Sequence, residues 1–205
     1  MNATTTASWR LAFFWLAVAV IIDAVDGFLA RLVRVKQTLP AFNGELLDNI
    51  VDFGSYVLVP AFILHQAELL PSQLSVWAAS GVVLASAYQF CQESAKTADH
   101  FFTGFPSYWN VAVLYLMAFQ STVNINLAVV VLLVVLVFIP IKYVYPTRTT
   151  RFRGLTLTLA TLWGLALMTI IWQLPAPHTL LVFGSLIFVV YYVGLSVFLR
   201  VRRPL

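Results

Sequence analysis

A chain of 205 residues, 61% of them hydrophobic and only 10% charged, with a mean hydropathy of +0.90, has too little polar surface to cover a water-soluble globule and reads as a polytopic membrane protein. At about 20 residues per crossing plus short connections, the length suits roughly seven helices in one bundle and leaves no separate soluble domain. The net charge of +4 is a matter of membrane topology and gives no indication of nucleic-acid binding, and the single cysteine, Cys91, excludes an intrachain disulfide and reads as a small packing residue at a helix end.

In chain order the apolar stretches run from Trp9 to Leu29, Leu46 to His65, Leu74 to Phe90, Ser107 to Thr122, Leu127 to Tyr145, Leu155 to Trp172 and Thr179 to Leu199. Continuous hydrophobicity over such lengths predicts seven transmembrane α-helices, since an outer-membrane barrel would alternate polar and apolar residues. The expected fold is therefore an all-α, polytopic integral membrane bundle forming one domain over residues 1–205. Turn chemistry marks the breaks, in "ELLPSQ", "FQSTVNIN", "PTRTTRFRG" and "QLPAPH".

The basic residues fall in alternate connections. Arg31, Arg34 and Lys36 follow the first stretch, Lys96 the third, and Lys142, Arg148, Arg151 and Arg153 the fifth, while Arg200, Arg202 and Arg203 sit in the tail. The second, fourth and sixth connections hold none. This pattern predicts that the basic loops and the C-terminus face the cytoplasm. Arg10 alone departs from it and makes the start of the chain read as extracytoplasmic.

The acids are more telling. Of the eight in the chain, Asp23, Asp26, Glu45, Asp48 and Asp52 gather at the cytoplasmic ends of the first two stretches. At about 100° per residue, Asp23, Asp26, Gly27, Ala30 and Arg31 share one side of the first helix. Gly44, Asp48 and Asp52, each four residues from the next, form a stripe on the second. Turned toward each other, these faces would bring four carboxylates together at the membrane border, where unpaired charges cost several kcal/mol each to desolvate. A divalent cation would offset that charge, and hard oxygen donors favour Mg²⁺, Mn²⁺ or Ca²⁺, with Mg²⁺ leaving positions for phosphate oxygens. Gly27 and Ala30 clear space for a phosphorylated ligand, which points to chemistry on a pyrophosphate. Two other readings stand beside it, a cation or proton pathway and a structural cluster neutralised by Arg31 and Arg34.

The same residues carry a resemblance. Asp23, Asp26, Gly27, Ala30 and Arg31, followed by Gly44, Asp48 and Asp52, resemble the signature of the CDP-alcohol phosphotransferase family at all eight of its fixed positions. The twelve residues between Arg31 and Gly44 are similar to the longer gap of its bacterial phosphatidylcholine synthase branch. So are "RVKQTLP", "LDNIVDF", "FFTGFPSYWN" and "FIPIKYVYPTR", so the likeness extends over essentially the whole chain.

The resemblance implies a phosphatidyltransferase of lipid biosynthesis, moving the phosphatidyl group of CDP-diacylglycerol to choline with release of CMP. Inositol, serine or glycerol phosphate are the alternative acceptors within the family. It further implies that Asp23, Asp26 and Asp48 hold the divalent metal, Mn²⁺ or Mg²⁺, and that Asp52 shares the metal site and serves as general base. Gly27 and Ala30 would make room for the nucleotide, Gly44 would belong to the same substrate-binding face, and Arg31 would support the site electrostatically. The branch also implies one further helix ahead of the first stretch, to which nothing here corresponds. Beyond the two substrates, the expected partners are membrane lipid and, as an open option, a second copy of the chain in a homodimer. The expected location is the bacterial inner membrane, with the active site on the cytoplasmic side.

Weaker signals complete the reading. Lys96 could hold a lipid phosphate or an anionic headgroup, whereas Arg148, Arg151 and Arg153 read first as topology determinants. His65, His100 and His178 lie in three different connections or helix ends and suggest no metal site. Choline cannot donate a hydrogen bond through its nitrogen, so its site wants aromatic faces. The cytoplasmic connection "HFFTGFPSYWN" offers Tyr108 and Trp109 for that role, along with Phe101, Phe102 and Phe105. An interfacial aromatic belt would have the same composition.

Overall fold

The computed structural model describes residues 3–92, 101–144 and 152–201. The described residues form a helical bundle with one small ribbon. Helix α1 spans Ala3–Leu32, α2 Val35–Thr38, α3 Gly44–Asp52, α4 Val59–Gln66, α5 Ser72–Cys91, α6 Trp109–Phe119, α7 Val123–Phe138, α8 Arg153–Gln173 and α9 Thr179–Val201, and strands β1, Phe101–Thr103, and β2, Lys142–Val144, pair with each other. Among the described residues, five segments are long and apolar enough to cross a membrane: Ser8–Leu32, Gly44–Gln66, Ser72–Cys91, Arg153–Gln173 and Thr179–Phe198. The helical, membrane-spanning bundle is therefore as the sequence predicts.

Two of the seven expected crossings are shorter than their apolar stretches. Helix α6 has 11 residues and α7 has 16, about 16 and 24 Å at 1.5 Å per residue, against a hydrocarbon core of about 30 Å. The chain on the β-ribbon side of both helices is extended, for local reasons. Gly104 has φ +80° and lies so close to α7 that a Cβ there would collide with the Val137 carbonyl oxygen. Its N–H donates to the Ile141 carbonyl (2.9 Å) and that of Phe105 to the Leu136 carbonyl (3.0 Å). Pro106 has no N–H to offer a helix, and Ser107, at φ 55°, breaks the run before Trp109. Extended backbone has to find hydrogen-bond partners outside its own segment. Here β1 and β2 pair antiparallel, with Phe102 opposite Tyr143, and Gln89 on α5 donates to the Thr103 carbonyl at 2.6 Å.

Helix α6 is the central element, with eight of its eleven residues buried. Trp109 opens it at 0% exposure, its indole N–H donating to Ser86 Oγ on α5 at 2.8 Å. Tyr115 ties α6 outward, its hydroxyl paired with Ser185 Oγ on α9 (2.8 Å) and accepting from the Trp163 indole on α8 (3.0 Å).

At the end of the bundle opposite the ribbon, Arg10 on α1 donates to the Leu174 carbonyl at the C-terminus of α8, and Gln120 donates to the Pro175 carbonyl. Arg10, the cation outside the topology pattern, thus sits where the negative end of a helix dipole favours positive charge. Elsewhere in the bundle, Asn126 Nδ2 on α7 donates to the Leu69 carbonyl (2.9 Å), and His65 pairs through Nδ1 with Ser75 Oγ (2.6 Å).

Two features place the acidic residues. Helix α1 is held to the bundle by its first half, where Phe13 and Leu16 are buried; beyond them Ile21, Ile22, Val25, Phe28, Leu29 and Leu32 are all exposed. Asn43 caps α3, its side-chain oxygen accepting from the Leu46 N–H at 3.0 Å, and α3 then runs without interruption into α4 through a widened π-helical turn, Phe53–Leu58. Pro60 explains the turn: it cannot donate to a carbonyl one turn back, and its ring crowds the carbonyl of residue 56 in a regular α-helix. Widening relieves that conflict, with the Val59 N–H reaching back to the Gly54 carbonyl.

Candidate active site

Asp23 and Asp26 project from α1 and Asp48 from α3, and each brings a carboxylate oxygen within 4.8 Å of the others. Asp23 and Asp48 are half-buried. The crossing of α1 over the second span thus brings together residues that the sequence places on two separate helical faces.

Asp52 lies one helical turn beyond Asp48, half-buried, outside that group of three. Its carbonyl accepts from Ser55 Oγ at 3.4 Å. The Arg31 guanidinium folds back over Gly27, with Nη1 3.4 Å from where a Cβ would stand. A methyl group there would just touch it, and any larger side chain would displace it. Ala30, Arg31 and Gly44 are exposed, and nothing lies within 4 Å of a Cβ built on Gly44. Small residues therefore keep the surface beside the acids open, under one cationic arm.

The aromatic residues divide. Tyr108 is half-buried and its ring lies 5.9 Å from that of Tyr56, tilted by 48°. The Tyr56 hydroxyl in turn donates to Asp23 Oδ2 at 3.0 Å. Trp109 points the other way, enclosed in the bundle and edge-on to Phe105 at 5.4 Å. Lys96, His100, Arg148 and Arg151 lie outside the described residues.

Tyr56 is the site residue that sequence reasoning missed. The signal was present, because Tyr56 continues the four-residue spacing of Gly44, Asp48 and Asp52. Its position after the carboxylates, in an apolar run ahead of Pro60, made it read as part of a span. The π-helical turn that carries it is a feature frequent at functional sites.

Chemically, three hard oxygen donors from two helices suit a divalent cation. Mg²⁺ takes oxygens at about 2.0–2.1 Å, so ligands on opposite sides of one ion stand roughly 4.2 Å apart. The observed spread of 4.8 Å or less needs only a small inward adjustment. With no such ion, the three like charges would repel one another and each would carry its own desolvation cost.

No protein-family model matches the chain. It is 43% identical over 201 residues to a phosphatidylcholine synthase of Legionella pneumophila subsp. pneumophila, an alignment covering 95% of this chain and 78% of that protein. It is 48% identical over 138 residues to the phosphatidylcholine synthase of Legionella bozemanae, covering 67% of this chain and 64% of the relative. For that of Mesorhizobium japonicum the identity is 40% over 161 residues, covering 78% and 60%. The chain thus spans between about three fifths and four fifths of the length of these relatives. With the acidic motif inside the first two spans and sequence likeness extending almost from end to end, this chain belongs to the phosphatidylcholine synthase family.

Proposed function

We propose that the chain transfers the phosphatidyl group of CDP-diacylglycerol to the hydroxyl of choline and releases CMP. The observation that carries this reading is the convergence of Asp23, Asp26 and Asp48 beside a helix face kept clear at Gly27 and Ala30. A divalent ion held there, Mn²⁺ or Mg²⁺, would offset the charge of the pyrophosphate and of the departing CMP phosphate.

The chain's own groups supply the rest. The Arg31 guanidinium, poised over Gly27, adds positive charge where a phosphate would approach. The exposed apolar residues of α1 next to the acids, Val25, Phe28 and Leu29, give the acyl chains a surface to lie along while the nucleotide head stays at the carboxylates. Asp52 accepts the proton of the choline hydroxyl as its oxygen bonds to the phosphorus that bears the diacylglycerol. The bond from that phosphorus to the CMP oxygen breaks, and CMP leaves with the electron pair. Tyr108 offers its ring face to the quaternary ammonium, an interaction worth about 0.5 to 2 kcal/mol, while Trp109 fixes the start of α6 from within the bundle. Arg31, Arg34 and Lys36 lie at the same end of the bundle as the acids, which supports a cytoplasmic active site in a bacterial inner membrane.

The test is to supply membranes containing the chain with CDP-diacylglycerol and, one at a time, radiolabelled choline, inositol, serine and glycerol phosphate. Label from choline alone should enter the lipid phase. Incorporation of a different alcohol would redirect the acceptor, and incorporation of none would sink the transferase reading.

A further inference from the structure

We infer that Tyr56 is a positioning residue that joins the acceptor pocket to the metal clamp, its hydroxyl orienting Asp23 while its ring sets the place of Tyr108. The inference rests on the reading of the acidic cluster as a divalent-cation site.

Two contacts of one side chain carry it. The Tyr56 hydroxyl donates to Asp23 Oδ2 at 3.0 Å, which restrains the rotation of a carboxylate that also lies within 4.8 Å of those of Asp26 and Asp48. A carboxylate held in this way loses rotational freedom before the ion arrives, and such supporting hydrogen bonds typically contribute about 10- to 100-fold in metal affinity. The opposite contact is the ring of Tyr108, 5.9 Å away at 48°. Two tilted aromatic rings at this distance present faces that attract a quaternary ammonium, which needs no hydrogen-bond acceptor. A cation seated there would stand beside Asp23 and one turn from Asp52.

The backbone gives Tyr56 this dual reach. It lies in the π-helical turn Phe53–Leu58, where extra residues per turn rotate its side chain relative to a regular continuation of the Gly44, Asp48, Asp52 stripe. Pro60 fixes the location of that turn. The helix that supplies Asp48 to the clamp therefore also supplies, one turn past Asp52, the residue that braces Asp23 on the other helix.

The hydroxyl and the ring can be separated by substitution. Tyr56→Phe removes one oxygen and keeps the ring pair, while Tyr108→Leu removes the partner ring and keeps the hydroxyl. In the purified full chain in detergent, Mn²⁺ binding followed by electron paramagnetic resonance should weaken about 10-fold or more in Tyr56→Phe and stay at the wild-type value in Tyr108→Leu. Steady-state kinetics at saturating Mn²⁺ should show the reverse for the acceptor, with choline KM unchanged in Tyr56→Phe and raised several-fold in Tyr108→Leu. Wild-type Mn²⁺ affinity in Tyr56→Phe would overturn the inference. So would equal weakening in both variants, which would mark a general packing effect. Asp23→Asn separates this from the underlying reading: if it binds Mn²⁺ as the wild type does, the cation site itself is misplaced.

Discussion

Asp23 on α1 and Asp48 on α3 meet across two helices, their carboxylate oxygens within 4.8 Å, with Asp26 completing the group; Asp52, one turn further on, stands outside it. This division predicts different losses. Asp48→Asn removes charge from the proposed ion clamp and should lose both nucleotide-lipid binding and turnover. Asp52→Asn keeps the shape but cannot accept a proton, and should lose about 10²- to 10⁴-fold in turnover with a much smaller change in binding. CDP-diacylglycerol binding at fixed Mn²⁺, measured alongside the rate of choline incorporation, tests the assignment. Near-normal turnover in Asp52→Asn would withdraw it as the base.

Neighbouring aromatic residues should behave differently. Tyr108→Ala takes away a half-buried ring at the site edge and should raise choline KM well before CDP-diacylglycerol binding suffers. Trp109→Ala empties a space at 0% exposure and leaves Ser86 without its indole donor. Its effect should be a loss of about 3–5 kcal/mol in stability, visible as a lowered thermal midpoint in detergent. A stable Trp109→Ala protein with a selectively raised choline KM would place the acceptor on the other ring.

Much of this was legible in the sequence because it depended on local spacing. The helical bundle, though not its small β-ribbon, followed from unbroken hydrophobicity, and the stripe of Gly44, Asp48 and Asp52 from a helix that does form over Gly44–Asp52. What was not legible depended on partners distant in sequence. The burial of Trp109 follows from Ser86 on α5, and the shortening of α6 from the approach of Gly104 to the Val137 carbonyl. Arg10 looked anomalous because its partner, the Leu174 carbonyl, lies at the far end of another helix. Tyr56 shares the four-residue spacing of the acidic stripe, but its partner Asp23 lies on another helix, and its apolar neighbours give it the look of a span residue.

The role of Arg10 is open to a stability measurement. Arg10→Met removes the cation at the C-terminus of α8 and the hydrogen bond to Leu174, while retaining apolar bulk. A loss of up to about 2 kcal/mol is expected, with turnover per folded molecule unchanged, because the residue is remote from the acids. Arg10→Lys should recover part of the stability. Unaltered thermal unfolding of Arg10→Met would show that the contact adds nothing to the fold.

The converging carboxylates of α1 and α3 are proposed to work through a divalent cation that helps move a phosphatidyl group onto choline. This role is tested most directly by following incorporation of labelled choline into lipid by the purified chain supplied with CDP-diacylglycerol, first with excess chelator and then with Mn²⁺ or Mg²⁺ restored. No labelled lipid is expected under chelation, with recovery on adding either ion and none at any ion concentration when Asp23, Asp26 and Asp48 are replaced together by Asn. Undiminished choline incorporation in excess chelator, or in the triple variant, would contradict this role.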